Sequence, residues 1–185
     1  VTETSRPMRA DAARNRARVL EVAYETFAAE GLAVPIDEIA RRAGVGPGTV
    51  YRHFPTKEAL FEAVISERVR SIVATAQELL EADPATALFA FVREMVRTSA
   101  ADHGMVDALA GYGMNIDAAA PGAEAAFLGV LGDLLAGAQR AGTARTDVGV
   151  AETKALLLVC KATQQYGDAV ADRVAEVVID GLRAR

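Results

Sequence analysis

PIDEIARRAGVGPGTVYRHFPTK, residues 35–57, carries a start or stop signal at each boundary. Pro35 opens a first helix, where its missing N–H costs little. Asp37 and Glu38 follow, favourable beside the positive end of a helix dipole. Ile36, Ile39, Ala40 and Ala43 recur at helical spacing and make one apolar stripe. Gly44 ends the run, and a positive φ is expected there because glycine adopts it freely. Pro47 opens a second helix. It stops before Pro55, because the residue ahead of a proline is pushed out of the α region. The first helix has only about two turns and cannot stand alone. Two short helices joined by a tight glycine turn are the pattern of a helix-turn-helix.

Working outward, Ala12 to Glu30 places Val19, Leu20, Ala23, Tyr24 and Phe27 at helical spacing, with Gly31 as C-cap. Residues 1–10 are polar and without period, so a mobile arm is expected. Downstream, Thr56 can cap a helix that runs to about Glu81. Asp83-Pro84 starts another. Further helix-like stretches fall near 85–101, 104–114, 122–141, 150–166 and 169–184. The chain reads as all-α, with about nine helices and no strand.

Composition narrows the function. Net charge is −5, but it is unevenly spread. Residues 1–60 hold nine Lys/Arg against eight Asp/Glu, whereas residues 61–185 hold eleven against seventeen. A near-neutral head with a basic arm, followed by an acidic body, is compatible with one end meeting phosphates. No apolar run approaches the length of a membrane span, and no signal-peptide pattern opens the chain. The single cysteine, Cys160, cannot form an internal disulfide, which fits a reducing cytoplasm. Two histidines and one cysteine far apart suggest no metal. No acid/base pair or nucleophile set points to an enzyme, and no cofactor is expected. The glycine-rich GVGPG lacks the Lys-Ser/Thr of a nucleotide loop and follows no strand.

If Ile39, Val45 and Val50 plug the core between the short helices, then Pro47, Gly48, Thr49, Tyr51, Arg52 and His53 remain outside. That surface fits a major groove. Gly48 would let backbone approach DNA, Arg52 can make a bidentate contact to guanine, and Lys57 suits a phosphate. Tyr51 could instead pack on the helix over Ala12 to Glu30. His53 could be ordinary surface, and Arg41 and Arg42 could be phosphate ligands or solvated charge.

The run IARRAGVGPGTVYRHFPTKEAL closely resembles the DNA-binding motif of the tetracycline-repressor (TetR) family of bacterial regulators. The likeness covers roughly residues 14–62, including Ala28, Glu30 and Gly31. It implies a DNA-binding domain over 12–58 and an effector-binding and dimerisation domain over 59–185. It also places Gly46, Pro47, Gly48, Thr49, Tyr51, Arg52, His53 and Lys57 at the DNA. Two positions depart from the family pattern. Pro35 stands where a phosphate-binding Thr or Ser is common, and Gly46 where a Ser N-cap is common.

The resemblance further implies a small effector held in the body, a homodimer on a palindromic operator, and repression as the default. Met95, Met105, Leu109, Tyr112, Phe127 and Gln164 are candidate pocket residues; His103, Asn115 and Gln165 are further polar candidates. Plain hydrophobic core is the competing reading for the apolar members. Cys160 is expected to be buried and inert. The helices near 150–166 and 169–184 are apolar over wide faces, and the resemblance pairs them across a two-fold axis. The helix from Thr56 to about Glu81 would carry effector binding to the heads. The competing function is a helical small-molecule carrier or protein adaptor that lacks specific DNA binding.

Overall fold

The computed structural model describes residues 5–98 and 120–184, with the side chains of residues 5–10 left out of the description. It contains α1 (Ser5–Glu30), α2 (Ile36–Ala43), α3 (Pro47–His53), α4 (Lys57–Ala82), α5 (Ala87–Arg97), α6 (Ala123–Arg140), α7 (Val150–Ala162) and α8 (Asp168–Leu182). A 3-10 turn, Thr163–Tyr166, links the last two. The only extended pairing among the described residues is an isolated bridge between Ala144 and Arg183. The all-α expectation holds. The ninth expected helix, near 104–114, lies outside the described residues.

Three sequence expectations need correction. Residues 5–10 are not an irregular arm; α1 already begins at Ser5. Pro7 sits in its first turn, where backbone N–H groups have no helical partner to lose. The helix expected from Asp83-Pro84 starts later, at Ala87. Asp83 instead builds a turn, its carboxylate accepting from the Ala85 N–H at 3.0 Å and the Thr86 hydroxyl at 2.6 Å. The helix expected over 150–166 stops at Ala162, and its last four residues tighten to 3-10 geometry before Gly167.

The described residues divide into two compact units, and the division falls inside α4, between Glu67 and Arg68. In the first unit α1 buries Val19, Leu20, Ala23 and Phe27. Phe27 meets Phe61 of α4 edge to face, centroids 5.7 Å apart, the favoured geometry for an aromatic pair. The expected stripe of α2 is buried in full. Short as it is, α2 is held from outside: Arg18 of α1 donates from Nε to the Ala43 carbonyl at 2.9 Å.

In the second unit, Leu88, Phe91 and Val92 of α5, Leu131 and Leu134 of α6, and Ile179 and Leu182 of α8 share one core with Ile72 and Ala76 of α4. Gly137 of α6 fits closely against the turn at Pro84. A Cβ there would lie 3.2 Å from the Pro84 carbonyl oxygen, which is tighter than nearly all real contacts. A smaller cluster joins Val96, Cys160, Ala171 and Ala175.

Candidate nucleic-acid interface

Backbone signals set the recognition surface. Gly44 adopts φ 70° and ψ 28°. Its N–H bonds the Arg41 carbonyl at 3.2 Å, and that of Val45 bonds Ala40 at 3.0 Å. These two bonds form a Schellman closure of α2. The chain then turns at once into α3, with Gly46 as N-cap and Pro47 in the first turn. No side chain caps α3, as expected for glycine at that position. Phe54 closes α3, its N–H donating to Val50 at 2.8 Å. Thr56 then caps α4, its hydroxyl accepting from the Ala59 N–H at 3.1 Å.

This geometry sorts α3 into an inner and an outer side. Val50 and Ile39 are completely buried, as is Ala40, whose small side chain lets α2 and α3 approach. Val45, expected in that core, is only half-buried. Pro47, Gly48, Tyr51, Arg52 and His53 are exposed, and Thr49 and Lys57 are half-buried. Partial burial pulls the Lys57 ammonium below its ordinary pKa, against a smaller opposite effect of Glu58.

Several cations near this surface are already engaged. Arg41 makes a two-pronged pair with Glu38, at 2.8 and 2.7 Å. Arg42 donates to the same carboxylate at 2.7 Å and also pairs with Glu30 at the end of α1. The hydrogen bonds from Arg41 and then Arg42 hold the Glu38 carboxyl down at about 2. Both arginines are therefore bound to carboxylates, not simply solvated. Tyr51 has a neighbour that sequence reasoning missed. Desolvation first, then the charge of Asp37 and a hydrogen bond to it, raise the phenol's pKa. Arg16 was missed too: its guanidinium lies over the Phe54 ring, 5.6 Å from the centroid. No local pattern announces these contacts, since each joins different helices.

Of the candidate pocket residues, Met105, Leu109 and Tyr112 lie outside the described residues, as do His103 and Asn115. Met95 sits in the main core of the second unit, and Phe127 packs against it, 6.5 Å from Phe91. The Gln164 amide donates to the Val96 carbonyl of α5 at 2.8 Å. Gln165 donates to Ala162 at 3.1 Å. Cys160 is buried, and that burial pushes its thiol pKa up.

The apolar width expected for the last two helices is partly used within the chain. Leu157, Cys160 and Leu182 are buried, whereas Val159, Val170 and Val177 stay open, joined by Leu158 and Tyr166. Val177 is 67% exposed and Tyr166 69%. No helix among the described residues is long and apolar enough to cross a membrane.

Comparison with known proteins agrees with this arrangement. Residues 19–64 match the family model of bacterial regulatory proteins of the tetR family. Residues 83–184 match that of the SbtR-like transcriptional regulator C-terminal domain. The chain belongs to the TetR family. The crystal structure of a TetR transcription regulatory protein from Mycobacterium vanbaalenii is 65% identical. It superposes with a TM-score of 0.83 over 96% of this chain and 100% of that one. A TetR transcriptional regulator from Streptomyces coelicolor is 35% identical, with a TM-score of 0.78 over 91% and 98%. The HTH-type transcriptional regulator SrpR of Pseudomonas putida is 40% identical over 65 residues, which is 35% of this chain and 30% of SrpR. This chain thus spans about a third of the length of the curated relatives it matches.

Proposed function

We propose that this TetR-family chain is a ligand-responsive repressor that binds a palindromic operator as a homodimer. The outer side of α3 carries the reading. A Cβ added at Gly48 would meet no described residue within 4 Å, so no packing among the described residues calls for glycine there. Close approach of a partner's backbone or phosphate does. Around it, Thr49, Tyr51 and Arg52 offer hydroxyl and guanidinium groups, with Pro47 and Gly46 bringing the helix start near. Arg52 reads a guanine edge. His53 and Lys57 hold phosphates, and so does Tyr51 when its hydroxyl leaves Asp37, because it has only one proton to donate.

One helix of this length contacts too few base pairs for specificity, so two copies reading half-sites about one turn of DNA apart are required. The open apolar residues of α7, the 3-10 turn and α8 supply the dimer contact. In this reading residues 12–58 bind DNA, while 59–185 dimerise and take a small-molecule effector. Met95, Phe127 and Gln164 contribute to that site, together with Met105, Leu109 and Tyr112. The effector acts by favouring one of two states, coupled through α4 because the division between the units falls within it.

The test is fluorescence anisotropy on labelled DNA from the gene's own upstream region, with excess unrelated DNA as competitor, at several salt concentrations. Tight binding that survives competitor and weakens steeply with salt supports the reading. If no genomic fragment is retained in a genome-wide selection, the operator reading is lost and the small-molecule carrier takes its place.

A further inference from the structure

The arginines around the helix-turn-helix are not equivalent. Arg14 pairs with Asp11. Arg18 is spent on the Ala43 carbonyl, and Arg41 and Arg42 on Glu38 and Glu30. Among the described residues, Arg16 and Arg52 have no carboxylate or carbonyl partner. Arg52 is already assigned to the groove. Arg16 is half-buried, yet among the described residues no acceptor meets the five N–H donors of its guanidinium.

Its position is fixed by packing. Arg18, two residues on, ties α1 to the end of α2. Arg16 lies over the ring of Phe54, the residue that closes α3. Phe54 is itself buried, so the face that Arg16 covers is rigid. The His53 ring lies 6.1 Å from the same Phe54 ring, and Lys57 begins α4 three residues later. A guanidinium held over an aromatic face by cation–π attraction can still donate to an anion, and its planar fork suits a phosphate. That contact also removes part of the side-chain freedom that phosphate binding would otherwise have to freeze out.

We infer that Arg16 is a phosphate-contacting residue of the DNA interface, positioned by Phe54 beside His53 and Lys57. The inference rests on the DNA-binding reading above. It extends that interface from the recognition helix to α1, a helix that motif-based reasoning assigns to support.

The experiment compares the full-length wild type, Arg16→Ala, Arg16→Lys and Arg41→Ala on operator and unrelated DNA across a salt series, with thermal midpoints in parallel. Arg16→Ala should weaken binding to both DNAs on the order of ten-fold near 0.1 M salt, the size of one charge-assisted contact. It should also lower the slope of log K against log[salt] by about one phosphate per protomer. Arg16→Lys should restore the slope. Arg41→Ala should leave it unchanged, because that charge is held by Glu38. A purely structural role would instead lower the thermal midpoint of Arg16→Ala and leave the slope at the wild-type value; that result overturns the inference, as does no change in either. If the wild type itself binds no DNA, the broader reading fails, which is a distinct outcome.

Discussion

The outer face of α3 and the outer face of α7 and α8 are both left open by the chain's own folding, but for opposite reasons. On α3 the open residues other than Pro47 are polar, charged or glycine, and the one fully buried residue is Val50. On α7 and α8 the open residues include the large apolar Leu158, Val159, Val170 and Val177, the last at 67% exposure, beside charged ones such as Asp172 and Glu176. A polar face with uncommitted donors gains by meeting an anion. An apolar face gains by leaving water, at roughly 25 cal/mol for each Å² covered. One chain therefore presents two kinds of incomplete surface, and each kind indicates what completes it.

The apolar face should show the larger effect when broken. Val177→Asp places a carboxylate where two copies of the face would meet, and across a two-fold axis it does so twice. The residue is exposed within one chain, so helix content should stay as it is. Sedimentation should show a monomer, and operator affinity should fall about a hundred-fold or more as the coupling of two half-sites is lost. A variant that stays dimeric with full affinity would remove α8 from the dimer contact.

Gly48→Ala probes the polar face with a smaller change. A methyl group there meets none of the described residues. Replacing glycine by alanine within a helix should raise stability by roughly 0.5–1 kcal/mol. Operator affinity should nevertheless drop, on the order of ten-fold, if DNA backbone approaches that point. Stability rising while affinity falls would place the cause of this glycine outside the folded chain. Equal affinity would mean that DNA keeps its distance from the start of α3.

The two faces also differ in how far they could be read from sequence. The helix-turn-helix is legible because its geometry is local. Gly44, Pro47, Pro55 and Thr56 each act on backbone within a few residues, and the apolar stripe of α2 follows from period alone. The body is less legible because its surfaces depend on contacts between distant segments. Leu157 and Val159 are close in one apolar run, yet one is buried and the other open. Only the packing of α5, α6 and α8 against α7 decides which. Gln164 gives a similar lesson: its bond to Val96 spans 68 residues, so its amide could be read equally as a ligand contact or a structural tie. The same holds in the head for Arg16 on Phe54 and for the pairs of Arg42. Their residue types were visible, but their partners were not.

The smallest expected effect concerns those head charges, and it separates committed cations from free ones. Glu38 accepts from Arg41 and Arg42, and its carboxyl titrates at about 2 instead of near 4.5. A carboxyl whose pKa is depressed by folding stabilises the folded state above its unfolded value, and loses that effect as pH falls toward the folded one. Glu38→Gln removes the charge at every pH. The gap in thermal midpoint between wild type and variant should therefore be widest at neutral pH, begin to close below about 4.5 and vanish near 2. Glu38 is only half-buried and its partner Arg41 is exposed, so the gap should be modest and should shrink further in high salt. A gap that does not change between pH 7 and pH 2.5 would assign the effect of Glu38 to packing and not to charge. A gap that closes as described would show that the Glu38 charge is engaged by Arg41 and Arg42 in the free protein, which would leave those two less available to DNA than Arg16 in the proposed interface.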